Sequence, residues 1–302
     1  MKRLLLTFSL LIVVSSAFAQ SQRKGDASFR VEYQYIRTGE FNSSVGDIDI
    51  GNTDAHTILF SGDYAFTDKL KVFASIPYIQ KRHEGALPHD ATVDFVDYVP
   101  PDMRVIDNGD YHGGFQDIFL GVSYLAYESP SWTITPFVSY GLPTRDYPIY
   151  AHSAIGRNVW HAPVGASISF QPFFSDWFFK TDIAYVFTEK TLGIDTSHWL
   201  IYAAASYYVT PQFVPKAFVS IKRADGLAFP GDFPPASFDS EQWYFHDRTI
   251  KHNFINAGVG FDWFLNEKYL LSATAYKMVE PEQVNIIELA FSIGLTAYFG
   301  GN

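Results

Sequence analysis

The chain has 302 residues, of which 47% are hydrophobic and 18% aromatic; it contains no cysteine, and its formal net charge is −10. The absence of cysteine excludes disulfides, thiolate metal sites and an N-terminal lipid anchor. An apolar content this high excludes a disordered chain, and the acidic balance argues against nucleic acid as a partner.

The first twenty residues have the pattern of a secretory signal peptide. Two basic residues precede an apolar run over residues 4–14, and a small-x-small cleavage site ends at Ala19. We therefore predict a cleaved leader over residues 1–19 and an exported mature domain over residues 20–302. A transmembrane anchor is the alternative, but the apolar run is too short to span a bilayer as a helix.

No later segment is apolar for long enough to cross a membrane as a helix, so membrane residence requires strands. Strands span lipid only as a closed barrel in which every backbone group is paired. The first strand shows the expected alternation, with Phe29, Val31 and Tyr33 on one side and Arg30 and Glu32 on the other. Twelve such segments follow the leader, at residues 28–35, 56–66, 70–81, 115–126, 132–142, 159–171, 177–188, 198–209, 213–222, 252–263, 270–279 and 285–299.

The connections alternate between tight turns and mostly longer loops. The predicted loops lie near residues 39–54, 82–113, 143–158, 189–197, 223–251 and 280–284. Short turns mark the periplasmic rim of bacterial barrels, so we expect both termini in the periplasm and the long loops, above all 82–113 and 223–251, outside the cell. The predicted fold class is all-β, a transmembrane antiparallel up-and-down β-barrel of twelve strands, with ten or fourteen strands as alternatives.

A soluble β-sandwich would also produce alternating strands. The leader, the turn asymmetry and the aromatic residues at the strand ends favour the membrane barrel, because aromatic rings gather at the membrane interface. The tryptophans at those ends are Trp132, Trp160, Trp177, Trp199 and Trp263.

Three stretches of the chain carry a family resemblance. Residues 64–70 (YAFTDKL) with the following Ile76-Pro77-Tyr78, residues 114–124 (GFQDIFLGVSY) and residues 141–144 (GLPT) resemble a hairpin, a strand and a strand exit of one family. It is the outer-membrane transporter family named for the meta pathway of phenol degradation. The resemblance implies a porin-like barrel or uptake channel for aromatic or other hydrophobic compounds. The chain departs from the family pattern at Arg145, where glycine usually follows Pro-Thr, and at the three residues after Phe299.

Charged residues of both signs fall on the inward side of the predicted strands. The lumen-lining candidates are Arg30, Glu32, Asp63, Lys71, Asp117, Lys180, Asp182, Lys216, Lys222, Asp262 and Glu288. Such a set suits either a hydrated pore with cross-strand pairs or a narrow barrel braced by those pairs. The same side carries rings at Phe73, Phe119, Phe137, Tyr202, Tyr208, Phe218, Phe254, Tyr276 and Tyr298. Rings there suit an aromatic or lipid-like solute, or simply fill a small barrel.

These features predict an outer-membrane channel for passive or facilitated uptake of small, hydrophobic or aromatic solutes. The expected partners are outer-membrane lipid, lipopolysaccharide, the barrel-assembly machinery and a small-molecule solute, with no nucleic acid and no cofactor. A structural or adhesive barrel that acts through its acidic loops is the alternative. A lipid-hydrolysing enzyme is a weaker one: Ser139 and His161 could be cross-strand neighbours, but no acidic partner, nucleophile elbow or oxyanion motif accompanies them. We therefore predict no enzyme and assign no catalytic residue.

The predicted outer loops are rich in carboxylates, and every histidine falls on the outer half of the barrel. These histidines are His56, His83, His89, His112, His152, His161, His198, His246 and His252. Carboxylate and imidazole groups together can hold a divalent cation. Since no fixed ligand spacing appears, the sequence assigns no metal site. The milder expectation is that cations which bridge lipopolysaccharide relieve the repulsion among the loop carboxylates.

Overall fold

The computed structural model describes residues 23–85, 89, 105–234 and 240–300, so the predicted leader lies outside the described residues. Most of the described chain is β-structure, and the short helices within it lie in one connection. The elements are β1 (Ala27–Ser43), β2 (Gly46–Ile48), β3 (Asn52–Ala65), β4 (Leu70–Glu84), β5 (His112–Phe115), β6 (Asp117–Tyr124), β7 (Tyr127–Glu128), β8 (Trp132–Pro143), β9 (His161–Phe170), β10 (Trp177–Thr188), β11 (His198–Tyr207), β12 (Phe213–Ala224), α1 (Glu241–Tyr244), α2 (His246–Thr249), β13 (Asn253–Phe264), β14 (Tyr269–Glu282) and β15 (Asn285–Phe299).

The strands form one antiparallel sheet in chain order, and β15 pairs with β1 to close it. Closure runs from Ala27 opposite Phe299 at one end to Phe41 opposite Asn285 at the other. β5 and β6 both pair with β4 and act as one strand interrupted at Gln116, while β2 and β7 are short additions to β1 and β8. The prediction of a closed twelve-stranded barrel is therefore confirmed.

The two ends of the barrel differ. One end, here called the turn end, contains the start of β1, the end of β15 and five tight connections between strands. In one of these turns the Leu265 amide donates to the Tyr269 carbonyl at 2.9 Å. At the other end, the loop end, lie the long connections before β5, β9 and β13. This asymmetry follows the predicted turn and loop pattern.

Several strands run further toward the loop end than the sequence predicts. β1 continues to Ser43, so much of the predicted loop at 39–54 is sheet, and β14 continues to Glu282. Arg37 pairs there with Asp54, so hydrogen bonding persists where apolar alternation has stopped. The reason is that outward side chains beyond the lipid need not be apolar, and alternation then no longer marks the strand.

The outward face of the strands is an apolar belt. Its mid-strand members include Val31, Ile58, Leu120, Val138, Val164, Val219, Val259 and Ile293, each more than a third exposed. Aromatic rings border the belt at both ends: Trp132 stacks on Phe170 (4.3 Å) near the turns, and Tyr185 contacts Trp199 (5.2 Å) near the loops. An apolar band between two aromatic girdles is the surface that a transmembrane barrel presents to lipid. No helix in the described part of the chain is long and apolar enough to cross a membrane.

A charge placed on this belt should destabilise the barrel according to its depth. Val259, at the middle of β13 and 63% exposed, is a mid-depth position. We expect Val259→Arg to lower the free energy of unfolding by about 2–4 kcal/mol and Leu265→Arg, in a turn, by about 1 kcal/mol or less. Guanidinium unfolding in lipid vesicles, followed by tryptophan fluorescence, measures both. Equal losses at the two positions would contradict the placement of the belt in lipid.

Candidate functional site

Six of the predicted lumen charges are buried in the structure: Arg30, Glu32, Asp117, Asp182, Lys222 and Asp262. Lys216 on β12 and Asp262 on β13 form the best-buried pair, with Nζ 2.8 Å and 2.9 Å from the two carboxylate oxygens. Ser272 on β14 also donates to Asp262, at 2.6 Å, and Arg30 reaches Ser272 at 3.5 Å. These contacts form a polar network on β12, β13, β14 and β1, which crosses the place where β15 pairs with β1 to close the barrel.

Six more of the predicted charges are held in three neighbouring pairs. Arg30 donates from Nε to Glu32 at 2.9 Å, Lys71 lies 3.0 Å from Asp63, and Lys180 lies 3.3 Å from Asp182. The last predicted cation, Lys222, is buried nearer the loop end. The inner wall therefore carries paired charges of both signs.

Glu288 departs from the predicted inward position. It lies half exposed, 3.4 Å from Arg37 on the outer side. The register between β1 and β15 shifts between Arg37 and Thr38, and this irregularity turns Glu288 outward. Strict alternation along β15 could not have revealed the shift.

Asp117 lies at the loop end of the inner wall, where it accepts a 2.7 Å hydrogen bond from the Tyr147 hydroxyl. Burial and the neighbouring carboxylate raise the pKa of Tyr147 well above its usual value, so its hydroxyl remains a donor. His161 Nε2 lies 3.6 Å from Asp117, and no hydrogen bond joins it to Ser139. The described residues therefore do not form the Ser139–His161 hydrogen bond that a nucleophile and its base require.

An apolar stripe interrupts this polar wall. Ile36, Phe218, Tyr276 and Ala290 pack together on the inner side, and a second group of Phe254, Met278 and Val284 continues toward the loop end through Ile287. Room for the rings comes from Gly258, where an added Cβ would come within 2.6 Å of the Phe218 ring. The stripe spans β1 and β12 to β15, and it includes three of the aromatic residues predicted to face inward.

The loop end is covered by folded connections, here called the loop layer: residues 144–160, with the described residues 225–234 and 240–252. Its hydrophobic centre consists of Phe41, Ile50, Tyr150, Phe229, Phe233, Trp243 and Ile250. Trp243 is 3% exposed and donates from Nε1 to the Tyr150 hydroxyl at 2.9 Å. Because β1 and the β8–β9 connection lie on opposite sides of the closed barrel, a cluster that joins them has to cross its mouth.

Polar contacts anchor the loop layer to the wall and to itself. Lys81, on the inner side of β4, donates to the Ala154 carbonyl, and Arg248 donates to the carbonyls of Arg157 (2.6 Å) and Asn158 (2.9 Å). Asp247 is buried nearby, and burial raises the pKa of its carboxyl while the positive charges of Lys81 and Arg157 oppose that rise. These contacts tie the β8–β9 and β12–β13 connections to each other and to β4 within the mouth.

Comparison with known proteins assigns the chain to a family. Residues 61–289, most of the chain, match the family described as "Putative MetA-pathway of phenol degradation". The chain belongs to this family. No curated protein is found to be similar to it. Among solved structures, an outer membrane channel from Pseudomonas putida F1 has a TM-score of 0.69 at 12% identity, covering 95% of this chain and 100% of that one. The NanC porin has a TM-score of 0.50 at 8% identity, covering 89% and 98%. Both likenesses show the fold of an outer-membrane β-barrel.

Arg145, one of the two places where this member of the MetA-pathway family departs from the family pattern, has a structural role. Arg145, in place of glycine, donates to the Gly113 carbonyl at 3.2 Å. Its guanidinium also lies where a Cβ on Gly114 would stand. The departure thus joins the exit of β8 to β5, and the adjoining glycine leaves the space that the guanidinium requires.

Proposed function

We propose that the barrel is a passive channel of the outer membrane for small hydrophobic or aromatic solutes, above all those with one polar group. The observation that carries the proposal is the apolar stripe inside an otherwise charged wall. A solute with a ring and a polar substituent can contact the stripe with one side and the paired charges with the other, which a purely polar solute cannot do.

Two comparisons support this proposal. The family takes its description from a pathway of phenol degradation, and the similar structure from Pseudomonas putida F1 is described as an outer membrane channel. In the proposed orientation the turn end and both termini face the periplasm and the loop layer faces outside. The apolar belt would then contact outer-membrane lipid and lipopolysaccharide, and insertion would depend on the barrel-assembly machinery.

The adhesive alternative requires loops that display their side chains to a partner. In the described part of the loop end, residues 147, 149–155, 229, 243 and 246–247 are instead largely buried against the barrel or one another. This packing favours loops that cover the mouth of the barrel over loops that form an adhesive surface.

A flux assay with two charge-matched solutes tests the channel. Benzoate and glucuronate are both monoanions at pH 7, but only benzoate carries an aromatic ring. We expect liposomes that contain the protein to pass benzoate faster, after subtraction of the leak of empty liposomes. Because a ring contact is worth about 0.5–1.5 kcal/mol, we expect the double variant Phe218→Ala, Tyr276→Ala, which removes two rings, to reduce the flux ratio by about five-fold or more.

The matched control is Phe291→Ala, which removes a ring on the outer face of β15, 38% exposed. It should leave the flux ratio unchanged. Equal flux of benzoate and glucuronate through the wild-type protein would contradict selectivity for aromatic solutes, and no flux of either would contradict the channel itself.

A further inference from the structure

Four histidine rings meet inside the loop layer, at a place where the sequence predicts no metal site. His83 lies at the end of β4, His89 in the β4–β5 connection, His152 in the β8–β9 connection and His246 in α2. Ring centroids are 4.2 Å apart between His83 and His152, 4.4 Å between His89 and His152, and 5.8 Å between His89 and His246. All four are at most 2% exposed.

His89 is the residue whose surroundings call for a ligand. It is 1% exposed, yet neither of its ring nitrogens has a hydrogen-bond partner among the described residues. Nδ1 lies 3.6 Å from Oδ2 of Asp107, just beyond hydrogen-bonding distance. A neutral imidazole always offers one acceptor nitrogen, and leaving that nitrogen buried without a partner costs free energy. A bound cation would provide the missing partner.

Asp107 is held rigidly between two of these histidines. Its Oδ2 accepts the backbone N–H groups of His89 (3.0 Å) and His152 (2.8 Å), and its Oδ1 accepts the backbone N–H (2.9 Å) and hydroxyl (2.6 Å) of Ser153. These four hydrogen bonds fix the carboxylate in place.

We propose that His89, Asp107 and His152 bind one divalent transition-metal ion of the zinc class. One candidate ligand atom from each of the three residues lies within 4.8 Å of the other two. Two ligands at about 2.0–2.2 Å from a tetrahedral Zn²⁺ stand roughly 3.4 Å apart, close to the His89–Asp107 separation. Two imidazoles with one carboxylate favour Zn²⁺ over Ca²⁺ or Mg²⁺, which prefer oxygen ligands.

The ion would add a metal bond between two segments of the loop end, which the hydrogen bonds from His152 and Ser153 to Asp107 already hold together. His89 and Asp107 belong to the β4–β5 connection, whereas His152 belongs to residues 144–160 of the loop layer. A metal bond between them would fasten the mouth of the barrel at a point beside its hydrophobic centre, where the His89 ring contacts Tyr150 at 4.5 Å. Binding of the ion does not depend on what passes through the barrel.

The test is metal binding by full-length barrel purified without a polyhistidine tag and folded in detergent. We expect equilibrium dialysis with Zn²⁺ alone to give about one bound ion per chain at micromolar concentration. We expect Co²⁺ to give the intense visible bands of a four- or five-coordinate nitrogen–oxygen site, and Zn²⁺ to abolish them. Wild-type protein that binds neither ion more tightly than millimolar would overturn the proposal.

The double variant His89→Gln, His152→Gln removes two of the three ligands, and we expect it to weaken Zn²⁺ binding at least about a hundred-fold. The matched control is His56→Gln, His112→Gln, which removes two partly exposed histidines of the same end of the barrel that bond to Tyr111 and Asn108. It should bind Zn²⁺ as the wild type does. A folded barrel is verified for each variant by its heat-modifiable gel migration. If the two double variants bind alike, the proposal is wrong; if the first does not fold, Asp107→Asn replaces it with the same expected loss.

Discussion

Replacement of Asp262 by alanine should be the most damaging single change inside the barrel. Asp262 is 1% exposed and is the partner of Lys216, so the variant leaves a buried ammonium group without its carboxylate. Breaking a buried pair in this way costs about 3–5 kcal/mol. We expect that loss in the free energy of unfolding, measured by reversible guanidinium titration of the barrel in lipid vesicles.

Two further variants show whether the stability lost in Asp262→Ala comes from breaking a buried ion pair. Asp195→Ala breaks an exposed pair with Lys190, whose side chains are 45% and 64% accessible, and should cost less than about 1 kcal/mol. Lys216→Met combined with Asp262→Leu removes both charges and should recover most of the stability. If Asp262→Ala costs no more than Asp195→Ala, water reaches the pair, and the barrel is hydrated at this level rather than braced by the pair.

Most of the barrel could be predicted from the sequence because lipid imposes alternation on every strand. The predicted bounds of β10 and β15 agree with the structure. Asp182 on β10 is buried, whereas Glu288 on β15 is exposed. Alternation fails where lipid no longer dictates it. The sequence pattern therefore does not reveal that β1 extends past Tyr35. Nor do the residues around Glu288 indicate the register shift beside Arg37 that turns Glu288 outward.

The loop layer could not be predicted, since its contacts join residues that are distant in the chain. Asp107 holds Ser153, 46 residues away, and Trp243 holds Tyr150, 93 residues away. The sequence shows only that the loops contain histidines and carboxylates, which also accumulate on any solvated loop. Their burial depends on which loops meet across the mouth, and no local pattern records that.

Truncation of Trp243 to alanine should have the largest effect on conduction. The indole fills the centre of the loop layer: it stacks on His246 (4.1 Å), contacts Phe229 (5.7 Å) and donates to Tyr150. Loss of a buried tryptophan costs about 3–5 kcal/mol, and each 1.4 kcal/mol changes an equilibrium about ten-fold. If the packed layer restricts the mouth, the variant should shift the equilibrium between packed and unpacked states of the layer by about a hundred-fold or more toward the unpacked state. We expect a higher mean conductance in planar bilayers.

Trp199→Ala provides the control, because this tryptophan lies on the outer side of β11 at the same end of the barrel and is 49% exposed. Its loss removes a girdle ring without touching the loop layer, so conductance should stay at the wild-type value. An increase confined to Trp243→Ala would show that the loop layer limits flow. Identical conductance in the wild type and both variants would mean that solutes pass the layer by a route that its hydrophobic centre does not control, and the selective step would then lie deeper, at the apolar stripe.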